Sequence, residues 1–334
     1  MNIENSKIIA GWLLLQALCL PSGYAQESVA ETIIDIAGHQ VPVKAGGLYD
    51  KYRSNPPLSV IAEQAPDIDL SWFKTMQKTK VDIGFSSYSP NFYYKSSRIT
   101  AVFTADLAQL RALMPPQILQ QVTPLQIWPG RGLISLTAYA YHYCDNDSYN
   151  EIALSVITTK PATLNVGPLS LLRQSLTDDY WGYVLKLPVN TELARVRGVV
   201  GYNLPKWTTA IDYQQQADTV VVRVADSETT ATDFTITAKA LPVKTDDFPV
   251  VRNSFVNLDV NGTVTTGYAL SRLQLFADTS DEEAVKLTLT DGSLSRYIRQ
   301  LKLGKLMKYE YVPEFQSALY APVTLQQAQR AADW

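Results

Sequence analysis

A lysine directly after a proline is the first candidate for chemistry in this sequence. Lys206 stands in the segment GYNLPKW, residues 201–207, with no other charged residue beside it. A free lysine has a pKa of about 10.4, so at neutral pH only about one amine in a few thousand is unprotonated and nucleophilic. Burial in an apolar pocket or a neighbouring cation makes such an amine reactive. The local sequence leaves two interpretations open: a solvated lysine at a turn, or a buried nucleophile.

The elements that must position this lysine are mostly strands. Of the 334 residues, 46% are hydrophobic and 18% are charged, which is enough for a large core in one large domain or two small ones. Threonine, valine and 19 tyrosines favour sheet. The runs GLISLTAYAYHY and EIALSVITTK flank the polar turn CDNDSYN and predict a hairpin. We therefore expect an α+β fold, mainly an antiparallel β-sheet curled into a barrel or cone with a few short helices.

Two short helices interrupt the strands. The first is predicted in ADLAQLRALMP, with Thr104 or Asp106 as its N-cap and a Pro-Pro pair at its end. The second is predicted in ELARVRG, with Asn190 or Thr191 as its N-cap, directly before the Lys206 segment. After that segment the pattern is almost purely β.

Composition and motifs exclude several kinds of function. The formal charge of −3 and the pI of about 5.5 give no basic excess, so a nucleic-acid partner is not expected. The sequence has no run of βαβ units, no Gly-rich phosphate loop and no G-x-S-x-G motif. Two histidines and one cysteine, Cys144, after the leader are too few for an ordinary zinc site, and we expect this thiol to be packed rather than nucleophilic. We expect neither a metal nor an organic cofactor.

The N-terminus has the pattern of a secretory signal peptide. Lys7 precedes the largely apolar run 8–20, and small residues precede a cleavage site after Ala25. No later run approaches about 20 apolar residues, so no stable membrane anchor is expected. We predict an exported protein, periplasmic or secreted. Its parts are a signal peptide (1–25), an N-terminal extension that wraps the main body (26–95) and the barrel domain (96–334).

Four features in order resemble the acetoacetate decarboxylase superfamily. They are a strand followed by TADLAQLRALMPPQIL, a hairpin whose second strand opens with YNE, a glycine (Gly198) seven residues before Pro-Lys, and a late SRLQLF segment. In that family the lysine after proline forms a Schiff base with the keto group of the substrate, and the glutamate of the hairpin lies in the same pocket. The resemblance implies that Lys206 is the Schiff-base lysine and Glu151 the pocket glutamate.

The resemblance also suggests substrate-binding residues. An arginine ahead of the first strand aligns with Arg98, which could hold a substrate carboxylate. Tyr139 and Tyr141 alternate on one strand face, where they line either the core or a ligand pocket. Each residue also has a simpler interpretation: Glu151 and Arg98 as charges at the edges of strands, and the tyrosines as packing.

Three departures from the family pattern remove charge around the amine. Trp207 stands where the prototype has a second lysine. Gly198 is followed by two valines where Arg-Glu is usual, and a second acidic residue is replaced by Leu136 or Thr137. Desolvation, with Trp207 among the residues that exclude water, would therefore have to make the amine nucleophilic. We also predict that Trp207 contributes to substrate binding.

Two functions follow from the resemblance. One is an exported Schiff-base-forming lyase, decarboxylating a small keto acid or carrying out related carbonyl chemistry through Lys206. The other is a non-catalytic barrel that binds an apolar or carbonyl-bearing small molecule. Members of this fold commonly assemble, so a homo-oligomer is compatible with either function, although the sequence identifies no contact surface.

Overall fold

The computed structural model describes residues 30–245 and 248–331, and strands dominate its secondary structure. The predicted signal peptide lies outside the described residues. The strands are β1 Glu31–Ile36, β2 His39–Lys44, β3 Thr79–Asp82, β4 Ser86–Ser89, β5 Asn91–Asp106, β6 Gln126–Trp128, β7 Arg131–Cys144, β8 Tyr149–Ile157, β9 Asp179–Lys186, β10 Ile211–Gln215, β11 Thr219–Ala225, β12 Thr232–Lys239, β13 Val250–Leu258, β14 Val264–Thr279, β15 Val285–Leu289 and β16 Leu306–Thr324.

The α-helices are short and lie between these strands. They are α1 Leu48–Tyr52, α2 Leu58–Gln64, α3 Leu107–Ala112, α4 Pro116–Leu119, α5 Pro168–Leu176, α6 Glu192–Tyr202, α7 Ser293–Gln300 and α8 Leu325–Arg330. Within the described ranges, no helix is both long and apolar enough to cross a bilayer.

Seven strands form a closed barrel. Their order is β5, β16, β14, β13, β9, β8 and β7, and β7 pairs back onto β5 to close the ring. Neighbouring strands are antiparallel except for β9 and β13, which are parallel. The hairpin of β7 and β8 and the helix capped by Asp106, which accepts a hydrogen bond from Gln109 N, both form as expected. The α+β barrel predicted from the sequence is confirmed.

The two faces of the barrel wall have different roles. Successive side chains in a strand point to opposite faces. Ile99, Leu136 and Ile152 point outward and join one large core with the second sheet, whose strand order is β10, β11, β12 and β15. The alternate residues therefore face the interior of the barrel, where polar groups accompany aromatic rings. The outer core supports the barrel, and the inner face is available for a site.

The N-terminal extension packs onto the helix that precedes the candidate lysine. The β1–β2 hairpin forms an apolar cluster with Leu193 and Val196 of α6. Farther along the extension, Ile83 and Phe85 contact α6 near Gly201. The barrel strand β5 already begins at Asn91, within the range 26–95 predicted for the extension.

Helix α6 is longer than the sequence pattern suggests. Thr191 caps it by accepting a hydrogen bond from Ala194 N at 3.3 Å, as predicted, but the helix continues through both of its glycines to Tyr202. Glycine weakens an isolated helix by about 1 kcal/mol relative to alanine, so the sequence predicts that the helix ends at the first glycine, Gly198. Tertiary packing overrides this preference because neighbouring side chains occupy the space that a Cβ at Gly201 would need.

Candidate active site

Lys206 and Glu151 meet inside the barrel. Lys206 Nζ lies 2.6 Å from Glu151 Oε2, and the two side chains are only 7% and 9% exposed. Lys206 therefore does not point into bulk solvent. The main chain sets this contact, because Val189 pairs with Glu151 on one side and with Thr208 on the other, and Val189 N donates to Trp207 O at 2.9 Å. The two candidate residues, 55 positions apart in the chain, are thus fixed on adjacent backbone segments.

The aliphatic stem of Lys206 lies directly on α6 at Gly198. A Cβ at Gly198 would stand 2.4 Å from Lys206 Cδ and 2.5 Å from Cε, much closer than real atoms approach. Glycine at position 198 therefore makes room for the lysine stem, and it is not needed there for an unusual backbone angle. The backbone turns back at Asn203, which has φ 52°, and Leu204 N donates to Gly198 O at 3.0 Å. This tight turn after α6 brings the side chain of Lys206 back against the helix.

Arg98, Tyr139 and Glu151 form one row across the inner face. Arg98 on β5 is opposite Tyr139 on β7, and Tyr139 is opposite Glu151 on β8. Side chains directly opposite in a sheet lie within contact range. The sequence prediction that these residues share one environment with Lys206 is therefore consistent with the strand register, although their roles remain predictions.

Arg98 is paired with a carboxylate that the sequence analysis missed. Arg98 is 6% exposed, and its Nη2 lies 2.5 Å from Glu310 Oε2 on β16. Lys308 Nζ contacts the other oxygen of Glu310 at 3.2 Å. Burial raises the pKa of Glu310, but the charges of Arg98 and Lys308 outweigh it and hold that pKa below its ordinary value. A signal was present in KYEYVPEF, where Glu310 alternates with aromatic residues of a strand.

Replacing Glu310 by glutamine should destabilise the protein, because it leaves the buried guanidinium of Arg98 without a countercharge. We expect a loss of about 2 kcal/mol of unfolding free energy at pH 7, measured by urea denaturation. The lowered pKa of Glu310 means that its contribution is complete above the unfolded value of about 4.3 and is lost as pH falls below it. The variant should therefore lose less stability than the wild type between neutral and acidic pH.

Glu314 provides the matched control for that prediction. It lies on the same strand, and within the described residues it forms no ion pair. Glu314→Gln should change the unfolding free energy by less than about 0.5 kcal/mol. Equal losses for the two variants would contradict a specific role for the Arg98 pair.

Aromatic rings enclose the pair of Lys206 and Glu151. Tyr139 and Tyr141 stack with their centroids 5.4 Å apart, and Tyr141 OH donates to Glu151 Oε1 at 3.4 Å. Lys206 Nζ lies 5.7 Å from the centre of the Tyr149 ring. Burial raises the pKa of both Tyr141 and Tyr149 well above the ordinary value, so these phenols are neutral hydrogen-bond donors.

Trp207 occupies a different position from the other candidates. Its ring packs against the outer core, and Lys186 Nζ lies 5.9 Å from it. The side chain of its neighbour Lys206 contacts Glu151 inside the barrel. The ring of Tyr149 and the backbone of α6 instead lie against the amine. The substrate-binding role of Trp207 stays a prediction.

Other chemistry receives less support. Cys144 is fully buried, and burial raises the pKa of its thiol, so the nucleophilic thiolate is disfavoured. Across residues 30–245 and 248–331, no group of three histidine, cysteine, aspartate or glutamate side chains is placed to hold a metal ion. Two surface clefts, of about 480 and 410 Å³, are lined by other residues, including Trp128 in the first and Arg223 in the second.

The closed barrel with its added sheet defines an acetoacetate decarboxylase-like fold. Acetoacetate decarboxylase from Legionella pneumophila superposes with a TM-score of 0.51 at 11% sequence identity, covering 71% of this chain and 87% of that one. The enduracididine biosynthesis enzyme MppR, in complex with pyruvate, has a TM-score of 0.50 at 12% identity, covering 71% of this chain and 91% of that one. No family model matches the sequence, and no curated protein is significantly similar to it. The resemblance inferred from the sequence is thus confirmed at the level of fold.

Proposed function

We propose that this protein is an exported enzyme, periplasmic or secreted, that forms a Schiff base between Lys206 and a small keto acid. The observation that carries the proposal is the buried contact between Lys206 Nζ and Glu151 Oε2 inside a barrel of this fold. Glu151, at 2.6 Å, can exchange a proton with the Lys206 nitrogen during Schiff-base formation. The surrounding rings and the backbone of α6 exclude water from that amine.

The first chemical step joins the amine to the substrate carbonyl. The Lys206 nitrogen attacks the carbonyl carbon, the carbonyl oxygen leaves as water, and a protonated imine remains. In a β-keto acid the bond to the carboxylate then breaks, carbon dioxide departs, and its electron pair is held as an enamine. Glu151 is placed to return a proton to the enamine carbon or to orient the substrate. Hydrolysis of the imine releases the ketone and the free lysine.

Arg98 is the group that could anchor the carboxylate of a keto acid. Its Nη2 is occupied by Glu310, whereas its Nε is buried and has no hydrogen-bond partner among the described residues. A substrate carboxylate could accept a hydrogen bond from this unpartnered N–H. The Arg98 row passes through Tyr139 to Glu151, so a bound carboxylate would lie along the same inner face as the reacting carbonyl.

One observation favours the second function, a barrel that binds an apolar or carbonyl-bearing molecule without turnover. Lys206 and Arg98 each already have a carboxylate partner, which is Glu151 for Lys206 and Glu310 for Arg98. A substrate carboxylate would therefore add an uncompensated negative charge to the site. A neutral carbonyl compound or an apolar ligand could bind without the desolvation cost of burying an unpaired charge.

Borohydride trapping tests the proposal and separates the two functions. The wild-type protein is incubated with pyruvate, acetoacetate and related keto acids, reduced, and measured by intact mass and peptide mapping. We expect one stable adduct, on Lys206, together with release of carbon dioxide from the β-keto acids. An adduct without turnover would favour the binding protein, and no adduct with any carbonyl compound would overturn the Schiff-base proposal.

A further inference from the structure

A buried arginine at the junction of the extension and the barrel has only neutral partners. Arg197, on α6, is 3% exposed. Its Nη1 donates to Tyr49 OH at 3.4 Å, and its Nη2 donates to Ser87 Oγ and Asn91 Oδ1, each at 3.3 Å. All three hydrogen bonds are long for N–H···O bonds, which are usually about 2.9 Å. The guanidinium of Arg197 therefore makes only weak hydrogen bonds with these neutral groups.

This cluster of Arg197, Tyr49, Ser87 and Asn91 has more donors than acceptors. Arg197 Nε and Asn91 Nδ2 are buried, and neither has a hydrogen-bond partner in the described part of the chain. The hydroxyls of Tyr49 and Ser87 accept from the guanidinium, so their own protons are free to donate elsewhere. The cluster thus holds four groups with a proton left to donate, two of them buried N–H groups without a partner.

The charge of Arg197 is also uncompensated. Its guanidinium forms no salt bridge with any residue in 30–245 or 248–331. Asp145, a buried carboxylate close by, is already occupied by Lys78, by Phe92 N and by Tyr94 OH. Burial is the main cause that lowers the pKa of Lys78, and the charge of Arg197 lowers it further. Lys78 and Arg197 share this junction with Asp145, and with Asp147, which accepts from Leu48 N. Neither of these carboxylates pairs directly with Arg197, and arginine cannot become neutral by losing its proton.

We propose that the cluster binds one small monovalent anion, a halide or a carboxylate of formate size. Arg197 has no carboxylate partner among the described residues, and its unpartnered Nε can donate a charge-assisted hydrogen bond to an anion. Phe85 and Tyr49 have ring centres 5.3 and 5.2 Å from Arg197 Cζ and limit the size of the ligand. Tyr49 and Ser87 belong to the extension and Arg197 to the barrel domain, so the anion would fasten one to the other.

Thermal unfolding at constant ionic strength tests this site. Sodium chloride or sodium formate replaces sodium gluconate, whose anion is too large for the cluster. The wild-type Tm should rise and then saturate, by about 3–5 °C, because the anion binds only the folded state. Arg197→Met should show no saturable response. An equal response in the variant, or none in the wild type, would overturn the proposal.

A second variant and a direct measurement keep the test independent of folding defects. Tyr49→Phe keeps the aromatic ring and leaves the charge of Arg197 in place, but it removes the hydroxyl donor. The half-saturating chloride concentration should therefore rise about tenfold. Crystals grown in bromide should show an anomalous peak within hydrogen-bonding distance of Arg197 Nε. Absence of that peak at a saturating concentration would also overturn the proposal. None of these outcomes depends on Schiff-base formation at Lys206.

Discussion

Replacement of Lys206 by methionine is expected to abolish the reduced keto-acid adduct and to lower turnover by about 10³-fold or more. Methionine keeps most of the apolar stem that lies on α6 but has no amine to attack a carbonyl. The measurement is intact mass after borohydride reduction, together with the steady-state rate on whichever keto acid the wild type processes. An adduct that persists on another lysine would contradict the assignment.

The same variant has a predictable cost in stability, and a double variant separates it from the loss of chemistry. Removing the ammonium leaves Glu151 buried with one long hydrogen bond, from Tyr141, so we expect a loss of about 3 kcal/mol. Changing Glu151 to glutamine in the same protein removes the uncompensated charge. Lys206→Met/Glu151→Gln should regain most of the stability in urea unfolding while still forming no adduct. Recovery of the adduct in the double variant would show that the first result came from misfolding.

Replacement of Gly198 by alanine should slow adduct formation by about 100-fold with little loss of stability. The new Cβ would overlap Lys206 Cδ and Cε, so the flexible lysine stem must shift and carry its amine out of the present geometry beside Glu151. A displacement of about 1 Å can cost this much in rate when geometry controls the reaction. Alanine also favours the helix by about 1 kcal/mol, which offsets part of the strain. The observed rate constant for borohydride-trapped adduct formation measures the effect.

Val199→Ala is the matched control on the same helix. Val199 is 37% exposed and follows Gly198 directly, so the change alters the helix surface without adding an atom beside the lysine. Its rate of adduct formation should stay within about twofold of the wild type. If Gly198→Ala reacted as fast as this control, the close packing of Lys206 on α6 would have no part in reactivity.

Much of the barrel could be predicted because its strands carry local signals. Alternating patterns and a polar turn predicted the hairpin of β7 and β8, and Asp106 and Thr191 marked helix starts. The end of α6 could not be predicted, since its two glycines suggest a stop when considered alone. Close packing against Lys206, just after the helix, and against Ile83, from the distant extension, favours glycine at these two positions within the helix.

Part of the candidate site could be predicted from the sequence. The order of Glu151, Gly198 and the Pro-Lys pair pointed to two charged groups that the structure brings within 2.6 Å of each other. The pairing of Glu310 with Arg98 could not be predicted, because the sequence around Glu310 does not indicate which arginine lies across the barrel. Trp207 was expected beside the amine because it is adjacent in the chain, but its ring packs against the outer core near Lys186, and the ring of Tyr149 lies near the amine.

The sequence by itself determined the class of fold, the candidate amine and its glutamate, because periodicity and short motifs are properties of neighbouring residues. Only the tertiary structure decided which charges are buried together. The barrel register pairs Arg98 with Glu310, and docking of the extension encloses Arg197 among neutral donors. Burial and countercharge depend on residues brought together from distant parts of the chain, so GYNLPKW alone could not show whether Lys206 faces solvent or a carboxylate.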